Sequence, residues 1–234
     1  MEAIVIAAGQ GTRLAETTGE MPKSLLPFDG GTVLSTIFSN LMRAGVDRVR
    51  LVVGCRKERI EAYVRDLPRI ALYENPRWEG GNGLSVLAAL PDGVPAGGIL
   101  LSMSDHIVSA RALAALVAGA GESSRLLVDR RIEAIFDIDD ATKLRVDGRR
   151  IVAIGKELAE FNAVDCGIFG VTETMRSALE SNARAGRESI TDAVRTLIGA
   201  DAIEAVEIPA DCAWIDIDTP AAYAHARQAP ERYR

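Results

Sequence analysis

Arg13 and Lys23 are the first cations of the chain, and they stand beside Gly9, Gly11 and Thr12. Glycine lets the main chain come close to a ligand and turn its N–H groups toward it, an arrangement suited to phosphate oxygens. These residue types point to a phosphate-holding loop, Ala7 and Ala8 through Arg13, in which Arg13 and Lys23 receive a triphosphate. The matching acids are far away in sequence. Asp105 closes an apolar run, and Asp216 and Asp218 lie two apart, so an extended strand would turn both carboxylates to one face. Oxygen ligands of this kind suit Mg²⁺, which keeps several waters and takes one or two carboxylates plus phosphate oxygens. No serine or cysteine nucleophile sits in an evident triad. The chemistry implied is transfer at phosphorus, carried by positioning and charge neutralisation. A second phosphate would need its own cation, and Lys156, in a turn at the far side, is the candidate.

The elements that must position these groups alternate. A buried strand, Ala3–Ala8, releases into the glycine loop. Thr32 caps a helix over residues 33–42 that stops at Gly45, a strand covers Val49–Val53, a helix Arg56–Leu67 and a strand Ile70–Tyr73. A glycine-rich stretch leads into a helix from Asn82, and Gly98–Ser104 is a buried strand with Asp105 at its end. Ligands of open α/β sheets gather at the carboxyl ends of strands, so Asp105 faces the same crevice as the opening loop. A helix over Ala110–Ala120 and a strand over Arg125–Val128 continue the pattern. Alternation then lapses into a β-rich excursion at about residues 130–160, with strands expected over 132–146 and 150–154. It resumes with a strand near 162–171, helices over Glu173–Asn182 and Ser189–Ile198, strands over 202–208 and 213–217, and a last helix, Ala221–Arg227. The tail after Pro230 reads as loose. No linker divides residues 1–234, so one α/β domain is expected, with helices on both faces of a mostly parallel sheet.

Composition narrows the function. A net charge of −6 lacks the basic footprint of a nucleic-acid surface. No apolar run reaches the length of a membrane span and no secretory leader is evident. Cys55, Cys166 and Cys212 are odd in number and show no zinc spacing, which favours reduced thiols and a cytoplasmic protein. Two known phosphate motifs fail. Leu14 occupies the third glycine position of the dinucleotide fingerprint, and the Gly-Lys-Ser/Thr ending of a P-loop is absent.

What remains is Gly-x-Gly-Thr-Arg followed by Pro22-Lys23. This resembles the signature of the sugar-nucleotide and phospho-alcohol nucleotidyltransferases, with Gly9, Gly11, Thr12, Arg13, Pro22 and Lys23 falling on it. Trp214-Ile215-Asp216-Ile217-Asp218-Thr219 resembles that family's closing metal-binding segment; read alone, Asp218 or Thr219 could simply cap the last helix. Further stretches resemble one branch, the CTP:inositol-1-phosphate cytidylyltransferases. They are Glu74-Asn75, Asn82-Gly83-Leu84-Ser85, Ser104-Asp105-His106, Ala141-Thr142-Lys143, Ile154 to Leu158 and Phe161 to Phe169. The likeness runs from Ala3 to about Tyr223.

The resemblance implies a nucleotidyltransferase fold (GT-A-like, Rossmann-type), a three-layer sandwich with a central mixed, mostly parallel sheet. It implies CTP as donor, Mg²⁺ held by Asp105 with Asp216 or Asp218, and inositol 1-phosphate or a similar alcohol phosphate as acceptor. Asn82, Gly83 and Ser85 would contact the nucleotide, although by themselves they read as a helix cap. Thr142, Lys143, Lys156, Asn162 and Asp165 would meet a hydroxyl-rich acceptor. Family members are often fused to a membrane CDP-alcohol phosphotransferase; here a separate enzyme would consume the product, and a homodimer is left open. The alternatives are a cytidylyltransferase for a phosphonate or phosphocholine, a sugar-1-phosphate or molybdenum-cofactor nucleotidyltransferase, and a nucleotide-binding module without catalysis. Aromatic residues, at 5%, are few for the cage a choline would need.

Overall fold

The computed structural model describes residues 1–11, 13–14, 19, 21–118 and 123–234. Thr12 and the expected helix end at Ala120 lie outside them. The chain opens with β1 (Glu2–Ala7), then a small hairpin, β2 (Pro27–Phe28) and β3 (Gly31–Thr32). Next come α1 (Val33–Arg43), β4 (Arg48–Val53), α2 (Lys57–Val64), β5 (Ile70–Glu74) and α3 (Asn82–Ala88). The middle holds β6 (Ile99–Met103), β7 (His106–Val108), α4 (Ala110–Ala118), β8 (Ser124–Asp129), β9 (Lys143–Asp147) and β10 (Arg150–Gly155). The remainder is β11 (Ala163–Val171), α5 (Glu173–Arg184), α6 (Ile190–Gly199), β12 (Ile203–Glu207), β13 (Trp214–Asp216) and α7 (Pro220–Ala226).

Among the described residues nine strands form one sheet in the order β5-β4-β1-β6-β11-β8-β12-β10-β9. The first four run parallel, as do β8 and β12. β11 is antiparallel to both β6 and β8, and the β9–β10 hairpin closes the far edge, so the sheet is mixed as expected. β1 shows why the opening run is apolar at every position. Ala3, Val5 and Ala7 enter a core shared with α1, α2 and α4, while Ile4 and Ile6 enter a second core shared with α3, α5 and α6. A strand covered on both faces has no polar side to display. Three layers result.

Helix starts follow their caps. The Thr32 and Ser189 side chains each accept from the backbone N–H three residues on, and the residues there answer in turn, giving two reciprocal capping boxes. Two expectations are corrected. Residues 132–142 are not strand: a single 3₁₀ turn, Ile132–Ala134, leads through turns to β9. Charges at Glu133, Asp137, Asp139 and Asp140 leave this stretch without the alternating apolar face a strand needs. Nor is the tail loose. Pro230–Tyr233 forms a 3₁₀ turn, Tyr233 is buried, and the Asn40 amide donates to its carbonyl at 2.6 Å. Arg234 then grips both oxygens of Asp29 at 2.8 and 2.6 Å. Among the described residues no helix is long and apolar enough to cross a membrane.

Candidate active site

The opening loop leaves β1 at the carboxyl end of the sheet. The Cys55 amide donates to the carbonyl of Ala8 at 2.9 Å, and beyond it Gly9 and Gln10 are exposed. Gly11 has φ of 63°, a left-handed value that favours glycine, and the methylene stem of Lys23 packs against its open side. Leu14, which spoils the dinucleotide fingerprint, is 1% exposed and anchors the loop in the core. Lys23 begins a 3₁₀ turn set by Pro22. Its ammonium donates to both Asp105 and Asp218. Arg13 pairs with Asp218 and, at 2.6 Å, with Asp140. The other Asp140 oxygen accepts from Lys156 at 2.8 Å.

Asp140 is the residue that sequence reading missed. Its one signal was the acidic run Asp137-Ile138-Asp139-Asp140 just before Thr142, inside the stretch read as strand.

A two-stranded ribbon of β7 against β13 sets His106 opposite Asp216. The His106 ring lies 2.7 Å from Asp105 through Nδ1 and stacks on Trp214 at a 6.0 Å centroid separation. Gly167, with φ of 74°, passes over the ring so closely that a Cβ there would overlap it. The charges follow from this crowding. Burial works to lower the pKa of His106, but Asp216 and Asp105 outweigh it and push it up to about 10. Burial likewise opposes the charge on Lys23, and Asp105 and Asp218 outweigh it, raising its pKa above the lysine range. At Asp105 burial is overcome by Lys23 and His106, which hold the carboxyl well below its usual range. Asp216 goes the other way. Burial raises it to about 7 despite His106, with Asp105 and Asp218 adding repulsion. Burial also lifts Asp165 to about 6 against the Gly167 N–H that it accepts.

The donor set fits a hard divalent cation. The buried Oδ1 of Asp216 has no hydrogen-bond partner among the described residues, whereas Asp218 commits one oxygen to Arg13 and the other to Lys23. Ligand atoms of Asp105, His106 and Asp216 lie within 4.8 Å of one another, as do those of Asp140, Asp216 and Asp218. Mg²⁺ prefers oxygen ligands to an imidazole nitrogen, so the carboxylates are the suited donors. Asp216 has an uncommitted oxygen, whereas both oxygens of Asp105, like those of Asp218, are already paired, to Lys23 and His106, so Asp216 together with Asp105 or Asp218 would suit Mg²⁺.

These groups border a cavity of about 460 Å³. Asn82, Asp105, Thr142, Lys156, Asp165, Asp216 and Asp218 line it, while Arg13 and Lys23 are not among the lining residues and join it through their ion pairs to Asp140, Asp105 and Asp218. Four others stand behind the wall. Gly83 is buried and donates its N–H to the Glu188 carbonyl at 2.9 Å, and the Ser85 hydroxyl accepts from Asn75 at 2.9 Å. Lys143 turns its amine to the carbonyls of Asp139 and Lys156, at 3.1 and 2.9 Å. Asn162 clasps Val146 through its N–H and its C=O, both at 2.8 Å. The Gly83 N–H, Lys143 and Asn162 are bonded to backbone and Ser85 to the Asn75 side chain, so in this structure these groups brace the segments behind the lining residues. His106, Thr191 and a Phe136–His225 stack at 4.5 Å line the cavity without having been expected there.

The chain is similar to known proteins. A family model described as the MobA-like NTP transferase domain matches residues 3–134. A bifunctional IPC transferase and DIPP synthase of Rubrobacter xylanophilus is 32% identical over 93% of this chain and 49% of its own length. A 2-aminoethylphosphonate cytidylyltransferase of Lancefieldella rimae is 31% identical over 66% of this chain and 60% of that one. The inositol-1-phosphate CTP transferase of T. maritima superposes with a TM-score of 0.84 and 30% identity, covering 94% of this chain and 90% of that structure. The chain spans about half the length of the bifunctional relatives it matches.

Proposed function

The chain belongs to the MobA-like NTP transferase domain family, and from that premise we propose that it is a cytidylyltransferase joining CTP and inositol 1-phosphate to give CDP-inositol and pyrophosphate. An oxygen of the acceptor's phosphate attacks the α-phosphorus of CTP. That P–O bond forms as the bond to the β-phosphate breaks, and pyrophosphate carries the electron pair away. A phosphate monoester has a second pKa of about 6 and is largely dianionic at neutral pH, so no general base is required. The chain's own residues bind and align. Arg13 and Lys23, paired with the cavity's Asp140, Asp105 and Asp218, take the triphosphate; Lys156, which lines the cavity, takes the attacking phosphate, and Asp165 and Thr142 meet acceptor hydroxyls. Asp105 and Asp216 would hold Mg²⁺, which when bound neutralises phosphate charge and acts as a Lewis acid on the reacting phosphoryl group.

The observation that carries this reading is the placement of Arg13 and Lys156. They reach opposite oxygens of one carboxylate, Asp140, at 2.6 and 2.8 Å. The cation assigned to the donor's phosphates and the one assigned to the acceptor's phosphate therefore stand one small anion apart. Reaction needs the attacking oxygen and the α-phosphorus within about 3–3.5 Å, and two cations so spaced can hold two phosphates in that contact. Similarity to the T. maritima CTP transferase over nearly the whole chain supports the choice of nucleotide and acceptor.

The L. rimae relative gives a phosphonate acceptor a specific claim as the second reading. Pyrophosphate release with CTP, Mg²⁺ and either inositol 1-phosphate or 2-aminoethylphosphonate decides between them. Turnover is expected with inositol 1-phosphate; turnover only with the phosphonate, or only with UTP or GTP, overturns the assignment. On this reading the product is a substrate for a membrane CDP-alcohol phosphotransferase, and the free thiols of Cys55, Cys166 and Cys212 support a cytoplasmic setting.

A further inference from the structure

We propose that Glu188, which is outside the cavity, is a positioning residue that locks the nucleotide-facing wall and so determines which nucleotide is accepted; the inference rests on the donor reading above. Two segments make that wall. One is the glycine-rich stretch that ends in Asn82 at the start of α3, and the other is the turn between α5 and α6 that ends in Ile190 and Thr191. Asn82, Ile190 and Thr191 all line the cavity beside Asp105. The two segments are stitched together at Glu188. Its carbonyl accepts the Gly83 N–H at 2.9 Å, and one carboxylate oxygen faces the Gly81 N–H at 3.4 Å. The other accepts from Arg77 at 2.5 Å. In return, Asn82 Oδ1 accepts the Ile190 N–H at 2.9 Å, which fixes which way the Asn82 amide can turn.

The glycines themselves point to Glu188. Gly80, Gly81 and Gly83 do not have a left-handed backbone, so torsion does not require glycine at any of them. Contact does. A Cβ on Gly80 would stand 2.7 Å from the Glu188 carboxylate and one on Gly83 2.6 Å from its carbonyl, while one on Gly81 would overlap that carbonyl. Three glycines within four residues leave room for Glu188, with Leu84 and Leu179 closing in beside Gly80 and Gly83. With the seam closed, Asn82 and Thr191 present a fixed set of donors and acceptors, and a fixed polar edge is what lets a site reject a base whose own edge does not match. Released, Asn82 can rotate and the segments can part, so the wall fits several bases less well.

The test is nucleotide binding measured by calorimetry without acceptor, together with kcat and KM for CTP, UTP and GTP, on wild type, Glu188→Ala, Glu188→Gln and Gly81→Ala. Glu188→Ala should weaken CTP binding and raise its KM by about tenfold, as for loss of a charge-assisted contact, with kcat nearly unchanged and the preference for CTP reduced. Glu188→Gln still accepts from Gly81 and Arg77 and should restore most of the preference. Gly81→Ala leaves the Glu188 side chain in place but forces the seam apart, and should reproduce the alanine phenotype. Unchanged CTP affinity and preference in Glu188→Ala, whatever its melting temperature, overturns the inference. So does a fall in kcat at constant KM. Wild type that binds no nucleotide would remove the donor reading and this inference with it, whereas selective wild type with an equally selective alanine variant removes only this one.

Discussion

The two sides of the cavity are built by different means. On the proposed donor side the groups assigned to the reaction sit at the ends of regular elements: the loop after β1, Asp105 after β6, and Asp216 closing β13. Their positions follow from strand pairing, which fixes them before any ligand arrives. On the acceptor side, Asp140 and Thr142 come from the irregular connection between β8 and β9, and Lys156 from the turn after β10. That side is held by side chains bonded to backbone. Lys143 ties Asp139 to Lys156, Asn162 ties itself to Val146, and Arg131 binds Asp129 and the carbonyls of Ala210 and Cys212. A rigid frame suits the part of the reaction common to every nucleotide donor. A loop held by a few removable bonds suits the part that must differ between acceptors.

The sharpest way to break this division is at Asp105. Asp105→Asn should remove Mg²⁺-dependent turnover by about a thousandfold, at the upper end of what one preorganised electrostatic group contributes to kcat. Lys23 keeps Asp218 as a partner, so the fold should persist in the circular dichroism spectrum. Activity near wild type would refute the metal role and leave the donor side without its anchor.

Legibility in the sequence follows the same division. β1, α1, β4 and the helices near the end were readable because burial imposes periodicity and because Thr32, Ser189 and Thr219 cap where capping chemistry predicts. Arg13, Lys23, Asp105 and Asp216 could be singled out because a motif and a strand end place them, and the fold gathers them around Asp218 and His106. Asp140 was not, since nothing local marks it. Its meaning comes from Arg13 and Lys156, which only the folded chain brings to it. For Lys143 and Asn162 the converse holds: their residue types suggested acceptor contacts, and the structure gives their polar groups backbone partners.

Lys156 sharpens the comparison from the acceptor side. Lys156→Ala removes a half-exposed cation whose hydrogen bond to a phosphate would contribute about 1.5–3 kcal/mol. The KM for the acceptor should therefore rise about ten- to a hundredfold while the KM for CTP moves little. Equal rises in both would place Lys156 on the triphosphate and erase the separation between the sides.

A smaller effect, in stability, follows from the titrations on the donor side. Asp216 rises from 3.8 unfolded to about 7 folded, so its contribution is present below about pH 4 and is lost as pH climbs through about 7. His106 rises from 6.5 to about 10, and its contribution is likewise lost as pH climbs through that window. Asp105 is depressed below 3.8 and contributes only above that value, fading in acid. The melting temperature without metal should therefore be highest in mild acid and fall by several degrees toward about pH 8.5. Mg²⁺ binds the ionised carboxylate, so it should raise the melting temperature more at about pH 8.5 than at about pH 5.5. A metal effect independent of pH would separate Asp216 from the cation.

The smallest expected change is at Asn162, and it tests where the acceptor side ends. Its amide makes two bonds to Val146 across the β9–β11 corner and does not line the cavity. Asn162→Ala leaves a strand N–H and C=O without those partners, at a cost of about 1–2 kcal/mol that denaturant unfolding should register. The KM values for donor and acceptor should stay within about twofold, because Lys156 and Asp165 are positioned by other contacts. If instead the acceptor KM rose tenfold with stability unchanged, Asn162 would have to reach the acceptor. The bracing residues and the binding residues of that side would then be one set, and the irregular connection would be a binding loop rather than a scaffold for one.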